Sequence, residues 1–135
     1  MHPPLHFLFR RVAALLAVSA LTLTAGGALA ANISGSLPDY KKSGITFNYV
    51  EQKSGGSGPG ARGIRIYIAG GRDQSYKFSP NPHDDPWYNK NQGKFYRQAA
   101  EALADAYLAK KPNPAFPRYG FKSTINGIEY SYNQP

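Results

Sequence analysis

From residue 45 onward the apolar positions follow two different periods. Ile45-Thr46-Phe47-Asn48-Tyr49-Val50 alternates apolar with polar. Ile64-Arg65-Ile66-Tyr67-Ile68-Ala69 puts three isoleucines on one side and Arg65 and Tyr67 on the other. A period of two marks a strand that buries one face. Gly70-Gly71 ends the second run, and Ser75-Tyr76-Lys77-Phe78-Ser79 reads as a short third strand paired to it. Over residues 92–111 the period becomes helical: Tyr96, Ala99, Ala100, Leu103, Ala106 and Tyr107 share a face, opposite Lys94, Gln98, Glu101 and Asp105. Lys110-Lys111 offset the carbonyl end of that helix and Pro112 stops it.

Alternation returns in Phe121–Ile125 and Ile128–Tyr132, on either side of Asn126-Gly127. That dipeptide readily takes the two positive-φ positions of a type I′ turn, so the runs form an antiparallel hairpin. Its register sets Ile125 against Ile128, Ser123 against Tyr130 and Phe121 against Tyr132, with Lys122, Thr124, Glu129 and Ser131 on the reverse face.

The connections carry their own signals. Residues 31–44, with Ser-Gly-Ser, Pro38 and Lys41-Lys42, read as a flexible N-terminal arm, and 51–63 as a Gly/Ser/Pro-rich loop. Three prolines exclude regular structure over Ser79–Pro86, although Asp85-Pro86 has the form of a helix cap followed by a first-turn proline. A turn of helix around Trp87 is therefore expected. The order β-β-β-α-β-β implies an α+β domain over 45–135. An antiparallel sheet of about five strands packs on one helix, or curls into a partly closed OB-like barrel, which shares that order.

Composition narrows the chemistry. Of 135 residues, 13% are aromatic, too many for a disordered chain, and the length suits one domain. The absence of cysteine excludes a disulfide scaffold, a thiolate nucleophile and a Cys-ligated metal. Residues 1–30 have the layout of a secretory signal peptide: Arg10-Arg11, an apolar run from Val12 to Leu23, then Ala28-Leu29-Ala30 as a cleavage site. The run is too short and too weakly flanked for a membrane anchor, so an exported protein, periplasmic or extracellular, with no transmembrane anchor after cleavage is expected. Residues 31–135 lose only Arg10 and Arg11 of the 16 basic side chains and keep all 8 acidic ones, leaving a net +6. That balance favours acidic partners: an anionic glycan, a polyanion or an acidic protein.

The candidate motifs are uneven in weight. Gly58-Pro59-Gly60-Ala61-Arg62-Gly63 has the letters of a dinucleotide fingerprint, but a strand follows where that fingerprint needs a helix N-terminus. No nucleotide cofactor, or any other cofactor, is expected. His83 lies beside Asp84-Asp85, too few ligands for zinc and the wrong spacing for calcium, so no metal is assigned. Were the protein an enzyme, a ribonuclease-type hydrolase would use His83 as base, with Glu129 or Glu51 as carboxylate and Arg65 or Lys122 on phosphate. The stronger pattern is the polar sheet face formed by Thr46, Asn48, Arg65, Tyr67, Lys77, Lys122, Thr124 and Ser131, opposed only by Glu129. Cations interleaved with an aromatic suit a polyanion. The reading from sequence is thus a small exported, non-enzymatic binding protein whose ligand contacts are Arg65, Tyr67, Lys77 and Lys122, with Arg62 on the Gly-rich loop and Trp87 as an anchor or a staple. Self-association through a strand edge, giving a homo-oligomer, and an inhibitor role using loop 51–63 or 80–92 are the other expectations.

Overall fold

The computed structural model describes residues 33–53 and 62–134. The expected leader lies outside these residues, as do positions 54–61 of the Gly-rich loop. Six strands form one sheet: β1 (Ser34–Leu37), β2 (Phe47–Lys53), β3 (Arg62–Ile68), β4 (Gln74–Ser79), β5 (Phe121–Ile125) and β6 (Ile128–Asn133). Their spatial order is β1-β2-β3-β4-β6-β5, and every neighbouring pair is antiparallel. Two helices lie between β4 and β5: α1 (Pro86–Lys90) and α2 (Gln92–Ala109). The architecture is α+β, with the sheet curled as a half-barrel and one main helix. Helix α2 touches β1, β2, β3 and β5, including both strands at the ends of the sheet order.

The sixth strand comes from the segment expected to be a loose arm. Leu37 is buried opposite Phe47, and Gly35 lies opposite Tyr49, whose phenol occupies the space a side chain at 35 would fill. The rest of that segment is a hydrogen-bonded turn. Asp39 Oδ1 accepts from Gly44 N at 2.6 Å, Tyr40 N donates to Ile45 O at 3.0 Å, and Thr46 Oγ1 accepts from Asp39 N at 3.3 Å. Thr46 therefore belongs to this turn and precedes β2.

The β5–β6 hairpin has the expected register, with Ile125 against Ile128 and Phe121 against Tyr132. Asn126 and Gly127 carry φ of 52° and 80° across the turn. Asp85 caps α1 through Trp87 N, and its second carboxylate oxygen accepts from Asn126 Nδ2 at 3.2 Å, tying the cap to that turn. Pro82–Asp84 forms a turn of 3-10 helix, capped by Asn81, within the segment expected to be irregular.

The inner face of the sheet and α2 share one core. Phe95, Tyr96, Ala99, Ala100, Leu103 and Ala104 line the helix side, of which Phe95 and Ala104 extend the stripe read from sequence. Phe78 sits at the centre, with its ring 5.0 to 6.2 Å from those of Phe95, Tyr96, Tyr130 and Tyr132 in mostly edge-to-face pairs. Burial raises the phenol pKa of Tyr132 and Tyr96, and pushes that of Tyr76 up to about 12.

Candidate functional site

Because successive side chains alternate across a sheet, residues paired in register share a face. The pairings therefore give the outer face as a set of cross-strand rows. Ser36, Asn48 and Tyr67 form the first row; Ser34, Val50, Arg65 and Ser75 the second. Gln52, Gly63, Lys77 and Asn133 form the third, then Ser79, Ser131 and Lys122, and finally Glu129 with Thr124. Arg65, Lys77 and Lys122 are all exposed. Each cation stands one row further on, and on a later strand, than the one before, so the three make a diagonal. With strands about 4.8 Å apart and about 3.3 Å per residue, their Cα atoms are separated by about 8 Å and then about 12 Å.

Two shallow grooves meet on this face at Arg65 and Tyr67. One, of about 460 Å³, is lined by Ser34, Ser36, Asn48 and Val50 along with that pair. The other, of about 380 Å³, adds Gly71, Arg72 and Asp73 from the β3–β4 turn. Asp73 lies 3.6 Å from Arg65 Nε, and both side chains are about half exposed. A pair that open and that long is weak. It places a carboxylate where an anion would meet Arg65. Glu129 is thus joined by a second acidic residue near the face.

The other candidates lie elsewhere. Arg62 begins β3 and turns to the inner side, with its Nε 3.0 Å from an oxygen of Glu51, the one buried charged residue among the described positions. It is a structural partner of Glu51, which corrects its expected place on a ligand-reaching loop. Glu51 also ties the residue just ahead of β1 to β2: its Oε1 accepts from Ile33 N at 3.4 Å. Next to this pair the hydroxyls of Tyr88 and Tyr96 stand 2.6 Å apart, both phenols raised in pKa chiefly by burial. Trp87 is half-buried and packs against the core.

The residues of the hydrolase reading are not brought together. The His83 ring packs edge-on against Tyr88 at 5.0 Å, on the helix side. Its Nε2 is buried, and among the described residues it has no hydrogen-bond partner. The histidine's backbone is held by Asn81 Oδ1, which accepts from its N, and by Asn89 Nδ2, which donates to its O. Glu129, in the Thr124 row, shares the outer face with Arg65 and Lys122, which stand in other rows, whereas Glu51 is committed to Arg62. Among the described residues no cluster of three or more metal-ligating side chains is present.

Sequence reading missed Ser34, Ser36 and Asp73 as parts of the site. The signal for the serines was present in Ile33-Ser34-Gly35-Ser36-Leu37, where the inward positions are 33, 35 and 37. Glycine at the middle one hides the alternation. Compared with known proteins, the chain matches no family model, no curated protein and no solved structure.

Proposed function

We propose that this protein is an exported, non-enzymatic binding protein that contacts an acidic partner through the outer face of its sheet. The observation that carries the reading is the diagonal of Arg65, Lys77 and Lys122, which the strand register assembles from three strands on one side. Helix α2 packs on the opposite face. Cations aligned in this way lower the potential energy of an extended anion along their line, and side chains such as Asn48, Ser131 and Asn133 supply neutral hydrogen bonds beside it. A half-barrel sheet that offers one face to a linear ligand is also how OB-like proteins use their sheets, and that likeness fits the same reading. The leader-like pattern of residues 1–30 supports export.

The test is charge reversal. Arg65→Glu with Lys122→Glu should move elution from a sulfated-polysaccharide resin to clearly lower salt while the circular dichroism spectrum is retained. Elution at unchanged salt would remove the face from consideration. The rival reading, a hydrolase, draws on the buried Nε2 of His83, which has no hydrogen-bond partner among the described residues. Replacing His83 with Ala should abolish turnover of an RNA substrate if the rival is right, and leave anion binding intact if it is not.

A further inference from the structure

Resting on the reading of the outer face as an anion site, we propose that its occupant is a linear acidic polysaccharide in which charged sugars alternate with neutral ones. Two features of the face select this chemistry over other anions, and a third sets its affinity.

The first is charge spacing. The three outward cations on the strands lie about 8 and 12 Å apart at Cα, from strand geometry, a wider spacing than that of neighbouring anions in a polyphosphate chain, with Arg72 lining one groove beside Arg65. A polymer with a charge on every residue would leave most of its anions unmatched. A polymer with a charge on alternate residues would not.

The second is the scarcity of aromatic surface. Tyr67 is the one aromatic side chain among the described outward positions of the six strands. Single-stranded nucleic acid is held by successive bases stacking on successive aromatics, and one ring cannot provide that. One ring is enough for the apolar side of a single sugar. Val50, in the adjoining row, extends the apolar patch, while Ser34, Ser36 and Asn48 surround it with hydroxyl and amide groups able to exchange hydrogen bonds with sugar hydroxyls. An acidic protein would need a larger desolvated apolar centre than Tyr67 and Val50 provide.

The third is Asp73. Its carboxylate already lies near Arg65, at the junction of the two grooves. A uronate carboxylate reaching Arg65 meets this carboxylate beside it, so Asp73 acts as an internal competitor that lowers affinity. Arg65 would then hold the acidic sugar next to the neutral one seated on Tyr67.

The experiment is calorimetric titration of the full-length protein with three probes of equal charge: hyaluronate oligosaccharide, inorganic polyphosphate and oligothymidylate. Hyaluronate, with a carboxylate on every second sugar, should bind most tightly. Tyr67→Ala should weaken hyaluronate by about tenfold, the scale of one lost stacking contact, and leave polyphosphate unchanged. Tyr67→Phe keeps the ring and should keep the affinity, which separates recognition from misfolding. Asp73→Asn should tighten hyaluronate by a few-fold. Tighter binding of polyphosphate or oligothymidylate, or a Tyr67→Ala variant with unaltered hyaluronate affinity, overturns the glycan assignment while the anion face stands. If Arg65→Glu with Lys122→Glu leaves all three affinities unchanged, the face itself is wrong, and the glycan assignment falls with it.

Discussion

Glu51 provides the sharpest test of how the fold is held. It is 6% exposed on the inner face of β2, paired with Arg62 at 3.0 Å. Replacing it with Gln keeps the shape and removes the charge, so the guanidinium stays in a largely dry site without its carboxylate. Breaking one partner of a buried pair costs about 3–5 kcal/mol, because the survivor keeps its desolvation penalty. Arg62 retains 17% of its side-chain exposure, which places the expected loss near the lower end, about 3 kcal/mol. At about 4–8 °C per kcal/mol for a domain of this size, the melting temperature should fall by roughly 12–24 °C. Thermal and urea unfolding followed by circular dichroism give both quantities. The double variant Glu51→Leu with Arg62→Leu should recover most of the loss, since a buried pair replaced by apolar residues is often neutral. A single variant within about 0.5 kcal/mol of the parent, the range of an ordinary surface change, would refute the burial argument. A double variant as unstable as the single would mean that packing, and not the lost charge, sets the cost.

Alkaline titration should unfold the protein. Burial raises the pKa of Tyr76 to about 12 from 10.0, and it also raises those of Tyr88, Tyr96, Tyr130 and Tyr132. A folded-state pKa above the unfolded one contributes stability that is complete below pH 10 and is lost as the pH climbs through the folded value. The tyrosinate absorbance of these buried phenols should therefore appear together with loss of circular dichroism; their ionisation near pH 10 with the spectrum intact would contradict it. Gly35→Ala should cost about 1 kcal/mol, the low end for overpacking, because the atom in its way is the tip of the Tyr49 side chain. The same change in a Tyr49→Phe background should cost less, and equal costs would show that the phenol is not what requires glycine. Phe78→Ala should destabilise by about 3–5 kcal/mol, as expected for an aromatic at the centre of a core; a urea midpoint shifted only slightly would place the packing centre elsewhere.

Where local chemistry sets the structure, the sequence is easy to read. Asn126-Gly127 determines a turn and thereby the register of β5 and β6, so the placement of Lys122 and Ser131 on one face follows from two residues. The helical stripe around Leu103 and the alternation of Ile64, Ile66 and Ile68 are similarly direct. What was hidden depends on partners far along the chain. β1 has only four residues, and the inward position that would have shown its period is glycine, kept small by a tyrosine fourteen positions later. Arg62 looked like a loop cation because its partner Glu51 lies across the hairpin and both read as exposed charges. The diagonal of Arg65, Lys77 and Lys122 needed the strand order: β6 lies between β4 and β5, and alternation within each strand does not reveal that.

The central claim is that anions meet this protein on the outer sheet face. Amide chemical-shift mapping during titration with hyaluronate oligosaccharide tests it most directly. Perturbations should concentrate on residues 34–36, 48, 65–67, 73–77 and 122, and fade as salt is raised. Perturbations centred on His83, Tyr88 and the start of α2, with residues 65, 77 and 122 unmoved, would contradict it.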